Sequence, residues 1–123
     1  MHPGTLLYRR VPPIMLLHTG RCRRVKSALF KQTPALSVVV GDTLAALGRT
    51  PGSILDGHRD EMLVSISASS VFEHALAIER SPEPDEPAHA DVVGHRSDGI
   101  ARALLRASEW VVAPADACPT PAE

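Results

Sequence analysis

The chain has 123 residues, 44% of them apolar and 22% charged, with 13 Lys and Arg against 14 Asp and Glu. That balance belongs to one globular domain and excludes a wholly disordered chain, and no internal repeat or heptad seam runs through it. No apolar run approaches the roughly 20 residues that cross a bilayer, so the expectation is a soluble protein without membrane contact.

Charge is divided by position. Residues 1–41 hold seven Arg or Lys and no acid, whereas residues 42–123 hold six Arg and all fourteen acids. The reading is a basic, flexible arm over residues 1–33, a single globular domain over 34–113, and a disordered Pro- and Ala-rich tail over 114–123. The arm would contact phosphates, dock on the acidic body, or stand as an upstream extension outside the folded unit. Within it, Arg9 and Arg10 precede the apolar stretch Val11 to Leu17, but Pro12 and Pro13 interrupt that stretch and no small-residue cleavage site follows. It does not read as a secretory leader.

The first ordered element expected is a strand at Leu36 to Val40, ended by Gly41, with Asp42 or Thr43 starting a brief helix that Gly48 and Pro51-Gly52 stop. Met62 to Ser67 alternates apolar and small polar side chains, which predicts a second strand. Ser69 or Ser70 caps a helix through Val71, Phe72, Ala75, Leu76 and Ile78 that ends near Arg80. Pro82, Pro84 and Pro87 then impose a solvated loop. A third strand follows around Asp91 to Val93, and Gly94 turns the chain. The strongest helix starts at Ser97 or Asp98, with Ile100, Leu104, Ala107 and Val111 forming one apolar stripe. Asp98 with Arg102, and Arg106 with Glu109, mark its wet face. Trp110 plugs the core at the helix end, its indole N–H seeking an acceptor. The expected fold class is α/β or α+β: a small two- or three-stranded sheet packed by two or three helices.

Cys22 and Cys118 lie near opposite ends, in segments read as flexible, with no Cys or His at metal spacing beside either. The expectation is two free thiols in a reducing cytoplasm.

Several segments resemble known motifs. His89-Ala90-Asp91-Val92-Val93 resembles the zinc-ligand segment of a metallopeptidase family in which a His and an Asp two residues on hold metal at a strand end; no further ligand set accompanies it here. His95 adds a third polar group to that neighbourhood. Val38-Val39-Val40-Gly41-Asp42 and Val92-Val93-Gly94-His95 resemble the late loop of haloacid-dehalogenase-type phosphatases, but three serines stand where the nucleophilic Asp-x-Asp would be. Leu47 to Ile54 resembles the turn and recognition-helix start of helix-turn-helix DNA binders, followed here by Asp56, Gly57, Asp60 and Glu61. Ser67, Ser69 and Ser70 lie close to Glu73 and His74, yet no nucleophile elbow supports catalysis and helix capping accounts for them.

The leading expectation is therefore an interaction or regulatory protein acting through a protein partner or self-association, with no cofactor, no metal and no catalytic set. The alternative is a nucleic-acid-binding factor using Arg21, Arg23, Arg24 and Lys26 of the arm. A third reading is a small enzyme with a polar site at His89, Asp91 and His95.

Overall fold

A computed structural model describes residues 1–122. Eight strands are present: β1 (Leu6–Val11), β2 (Leu16–Thr19), β3 (Cys22–Val25), β4 (Leu36–Val40), β5 (Met62–Ser67), β6 (Ala77–Arg80), β7 (His89–Val93) and β8 (Glu109–Val112). Three short helices accompany them: α1 (Gly41–Ala46), α2 (Ala68–Phe72) and α3 (Asp98–Ala107). Six strands form one sheet in the order β6-β7-β4-β1-β5-β8, every neighbouring pair antiparallel, and β2 and β3 form a separate two-stranded hairpin. The expected small sheet packed by helices is thus corrected to a sheet-rich fold.

The sheet buries side chains on both faces, which is why β4 and β5 read as nearly continuous apolar runs. Leu7 and Val11 of β1, Leu36, Val38 and Val40 of β4, Val64 and Ile66 of β5, and Ala90 and Val92 of β7 alternate onto one face. There they meet Leu104 of α3 and Leu29 and Phe30 of the 3-10 turn Ser27–Lys31. Tyr8, Val39 and Leu63 point the other way, against Leu44 of α1 and Ile54 of the 3-10 turn Pro51–Leu55.

Several elements depart from the sequence reading, each for a local reason. The segment read as a flexible arm supplies β1, which lies between β4 and β5 in the middle of the sheet. Arg9 is accommodated on this strand because its guanidinium donates to the carbonyls of Leu29 and Ser37 and to Gln32 Oε1. The expected helix through Ile78 stops at Phe72; Ala75 takes a positive φ of 56° and the chain re-emerges as β6, pairing with β7. Gly94, at φ 123°, answers that turn, since a Cβ there would meet Leu76 Cδ2 at 2.8 Å. The cap of α2 is Ser67, which accepts from Ser70 N. The helix α3 begins as read, with Ser97 accepting from Ile100 N, but ends at Ala107, and Trp110 belongs to β8.

The segment read as a disordered tail is fastened to the hairpin. Cys22 and Cys118 form a disulfide closing a separation of 96 residues, which corrects the expectation of two free thiols. Around it Arg23 N donates to Asp116 O, Cys118 N to Arg23 O and Val25 N to Pro121 O. Trp110 Nε1 finds its acceptor in Cys118 O. No helix among the described residues is long and apolar enough to cross a membrane.

Candidate functional site

A cleft of about 570 Å³ opens on the Tyr8 face of the sheet. Its apolar floor comes from Tyr8, Val39 and Ile54, and its walls from two loops far apart in sequence: Arg49 to Glu61, and the β6–β7 turn carrying Glu83, Asp85 and Glu86. Pro82, Pro84 and Pro87 keep that turn out of the ladder, and Glu83 and Glu86 close it by exchanging backbone hydrogen bonds.

One wall is a fixed ion pair. Arg49 donates from Nη1 and Nη2 to the two carboxylate oxygens of Glu86, at 2.6 and 2.9 Å, and from Nε to Ser53 Oγ. This bidentate contact holds the Glu86 carboxyl below its ordinary value and raises Arg49. It also ties the two loops to each other across the cleft mouth. Opposite, Arg10 bonds to His58 and lies 3.6 Å from Glu61 Oε1.

His89 stands at the start of β7 with its side chain 14% exposed. Its Nδ1 lies 2.9 Å from the carbonyl oxygen and 2.8 Å from the hydroxyl of Ser81. A carbonyl only accepts, so Nδ1 carries the proton toward it, and Nε2 is left as the nitrogen that exchanges protons or accepts a bond. Nε2 lies 3.6 Å from Glu83 Oε1 and 3.9 Å from Asp91 Oδ1, beyond hydrogen-bond reach of both. Asp91 in turn faces Glu79 across β6 and β7, a like-charge pair that an approaching cation would relieve. Burial raises the Tyr8 hydroxyl pKa, and the charge of Asp42 adds to the effect.

The lining is electrostatically lopsided: Asp56, Glu61, Glu83, Asp85 and Glu86 stand against Arg9, Arg10 and Arg49. Arg9 is further withdrawn, its guanidinium held on backbone carbonyls and its pKa lowered to about 10 by burial and by the neighbouring charges of Arg10 and Arg96. The cleft therefore presents a net negative field.

Of the polar group read from the sequence, His89 and Asp91 share a face of β7, whereas His95 is exposed beyond Gly94 and does not join them. Among the described residues no three His, Cys, Asp or Glu side chains are placed to hold a metal ion. The stretch resembling a helix-turn-helix turn forms a 3-10 turn of five residues, Pro51–Leu55, with no recognition helix. Asp42 of the phosphatase-like turn accepts the Thr5 hydroxyl at 2.6 Å. The basic cluster divides: Arg23 pairs with Asp116 at 3.1 Å, while Arg24 and Lys26 reach a second hollow beside α3. Sequence reading gave no site role to Arg10, His58 or Glu61, and read Arg49 only as part of the helix-turn-helix-like turn. The acids of the Pro-rich loop were visible but read only as solvated.

Fold and cleft together define an open antiparallel sheet with a concave polar face. Compared with protein-family models, curated proteins and solved structures, the chain matches none.

Proposed function

We propose that this protein binds a small amine-bearing ligand in the cleft between the Arg49–Glu61 loop and the β6–β7 turn. The observation that carries the reading is the lining itself, five carboxylates against three guanidiniums around an apolar floor, with the unbonded His89 Nε2 at its edge. An ammonium group would find Glu83 and Asp85, and its hydrocarbon part would lie on Tyr8, Val39 and Ile54. His89 Nε2 would accept a hydrogen bond from the bound molecule, and it is the group able to take a proton if chemistry follows binding.

The test is titration of the ¹⁵N-labelled protein with spermidine and, separately, with a neutral disaccharide. Spermidine is expected to shift amides of residues 8–10, 49–61 and 81–91. The double substitution Glu83→Gln with Asp85→Asn should weaken it about fivefold, the scale of two partly solvated charges. Absence of saturable shifts, or equal shifts from the sugar, would contradict the reading.

Self-association is a second reading, favoured by the unpaired outer edges of β6 and β8 among the described residues. Light scattering at micromolar concentration would detect it as a doubled mass; a monomer across that range would dismiss it.

A further inference from the structure

On the opposite face of the sheet, a groove of about 330 Å³ runs between the β2–β3 hairpin and α3. Among the described residues, every charged side chain lining it is a cation: Arg24 and Lys26 from the hairpin side, Arg102 and Arg106 from the helix. Thr19 and Ser27 add hydroxyls, and Leu105 forms part of the floor.

The two cationic pairs reach the groove by different local rules. Arg102 and Arg106 are four residues apart and so lie on the same side of α3, whose other side buries Ala101, Leu104 and Leu105. Arg24 sits opposite Leu17 across the hairpin, where it donates to Thr19 Oγ1 at 2.7 Å. Lys26 lies two residues further on, just past the end of β3, and is exposed. Among the described residues the nearby acids are engaged elsewhere: Asp116 is held by Arg23, and Asp98, one turn before Arg102, is held by Lys31, which lowers its pKa. Among the described residues Lys26 and Arg106 have no carboxylate partner. Lys26, Arg102 and Arg106, gathered from two sides of the groove, repel one another, and a multiply charged anion between them reverses the sign of that energy.

We propose that this groove is a binding site for phosphoryl groups, taking a ligand that carries at least two of them. Guanidiniums grip adjacent phosphate oxygens in pairs, an ammonium supplies a point charge, and the two hydroxyls donate to the remaining oxygens. Among the described residues no aromatic side chain lines the groove, so recognition falls on the phosphoryl groups and not on a stacked base. Among the described residues the groove shares no lining residue with the acidic cleft.

The test uses the full chain with its disulfide intact. Calorimetric titration at low salt with pyrophosphate, with a nucleoside triphosphate and with a twelve-residue oligothymidylate separates the sources. Tighter binding of the oligonucleotide points to a nucleic-acid strand, and binding of the first two at equal or higher affinity points to a small phosphorylated molecule. In either case Lys26→Glu with Arg106→Glu should weaken binding by more than about tenfold, because two attractions become repulsions. Arg59→Glu, a charge reversal on an exposed residue outside the groove, should leave it unchanged. Thermal melts of all variants check that the fold is retained. Failure of all three probes to bind saturably, or equal losses from Arg59→Glu and the groove double variant, would overturn the proposal.

Discussion

The two faces of this sheet are hollowed in opposite senses. The cleft over Tyr8 is walled by loops, carries an excess of carboxylates and is braced by the Arg49–Glu86 pair. The groove beside α3 is walled by a hairpin and a helix, and among the described residues its charged side chains are all cationic. A formal charge of −1 averages these two regions and describes neither. The comparison teaches that charge segregated along a chain does not imply a separate arm. Alternation in β1 aims Arg10 at the Tyr8 face, Arg9 is held on the carbonyls of Leu29 and Ser37, and the hairpin side brings Arg24 and Lys26 beside α3.

The comparison can be broken by attacking what the two regions share, and sharpened by attacking what belongs to one. The largest effect is expected from Leu104→Ala, which empties a fully buried site between α3 and the sheet. A loss of about 4 kcal/mol is expected in denaturant unfolding, with cleft and groove melting in one transition. Two separated transitions would show that the faces are not one cooperative unit.

Arg96→Met comes next. The Arg96 guanidinium is buried, which lowers its pKa, and it donates to the carbonyls of Phe30, Gln32, Val92 and Gly94. Removing it orphans carbonyls in the loop that joins the hairpin region to β4, at a cost of about 3 kcal/mol. Hydrogen exchange should rise first at residues 29–37.

Replacing Cys22 and Cys118 together by Ser should cost about 2 to 3 kcal/mol, since the bridge closes a long loop. The loss should loosen the groove side, where Ala122 and the hairpin meet, and leave cleft amides protected. In the unmodified protein, alkylation without reductant should label neither cysteine.

The smallest effect belongs to the cleft alone. Glu86→Gln should cost about 1 kcal/mol at neutral pH by halving a bidentate pair. The sign of its pH dependence follows from the depressed Glu86 pKa. The stabilisation is fully present above the ordinary value of 4.5 and is lost as pH falls through the lower folded value. Acid unfolding monitored from pH 6 to pH 2 should therefore be shallower in Glu86→Gln than in the parent.

The sequence made some of this legible. Leu36–Val40 was readable as a strand because it is a short apolar run ended by Gly41, and Met62–Ser67 because it alternates apolar and small polar side chains; Ser97 announced the start of α3. The central strand β1 was not readable, because its two arginines look solvated until the carbonyls that hold Arg9 are brought from Leu29 and Ser37. The Val71–Ile78 pattern fits a helix, and only tertiary pairing with β7 draws Ala77–Arg80 into the sheet. The C-terminal segment has little apolar surface, and a bond to a cysteine 96 residues away orders it. In the cleft, His89 was legible as a polar group at a strand end. Arg10, Arg49 and Glu61 were not, since their meeting depends on strand order. Arg102 and Arg106 were visible only as a wet helix face.

One measurement bears most directly on the opposition of the two faces: parallel amide-shift titrations of the labelled, oxidised protein, one with spermidine and one with pyrophosphate. Two disjoint sets of shifts are expected, spermidine moving residues 8–10, 49–61 and 81–91, pyrophosphate moving residues 17–27 and 102–106. Overlapping sets, or a pyrophosphate response centred on the cleft, would contradict the account.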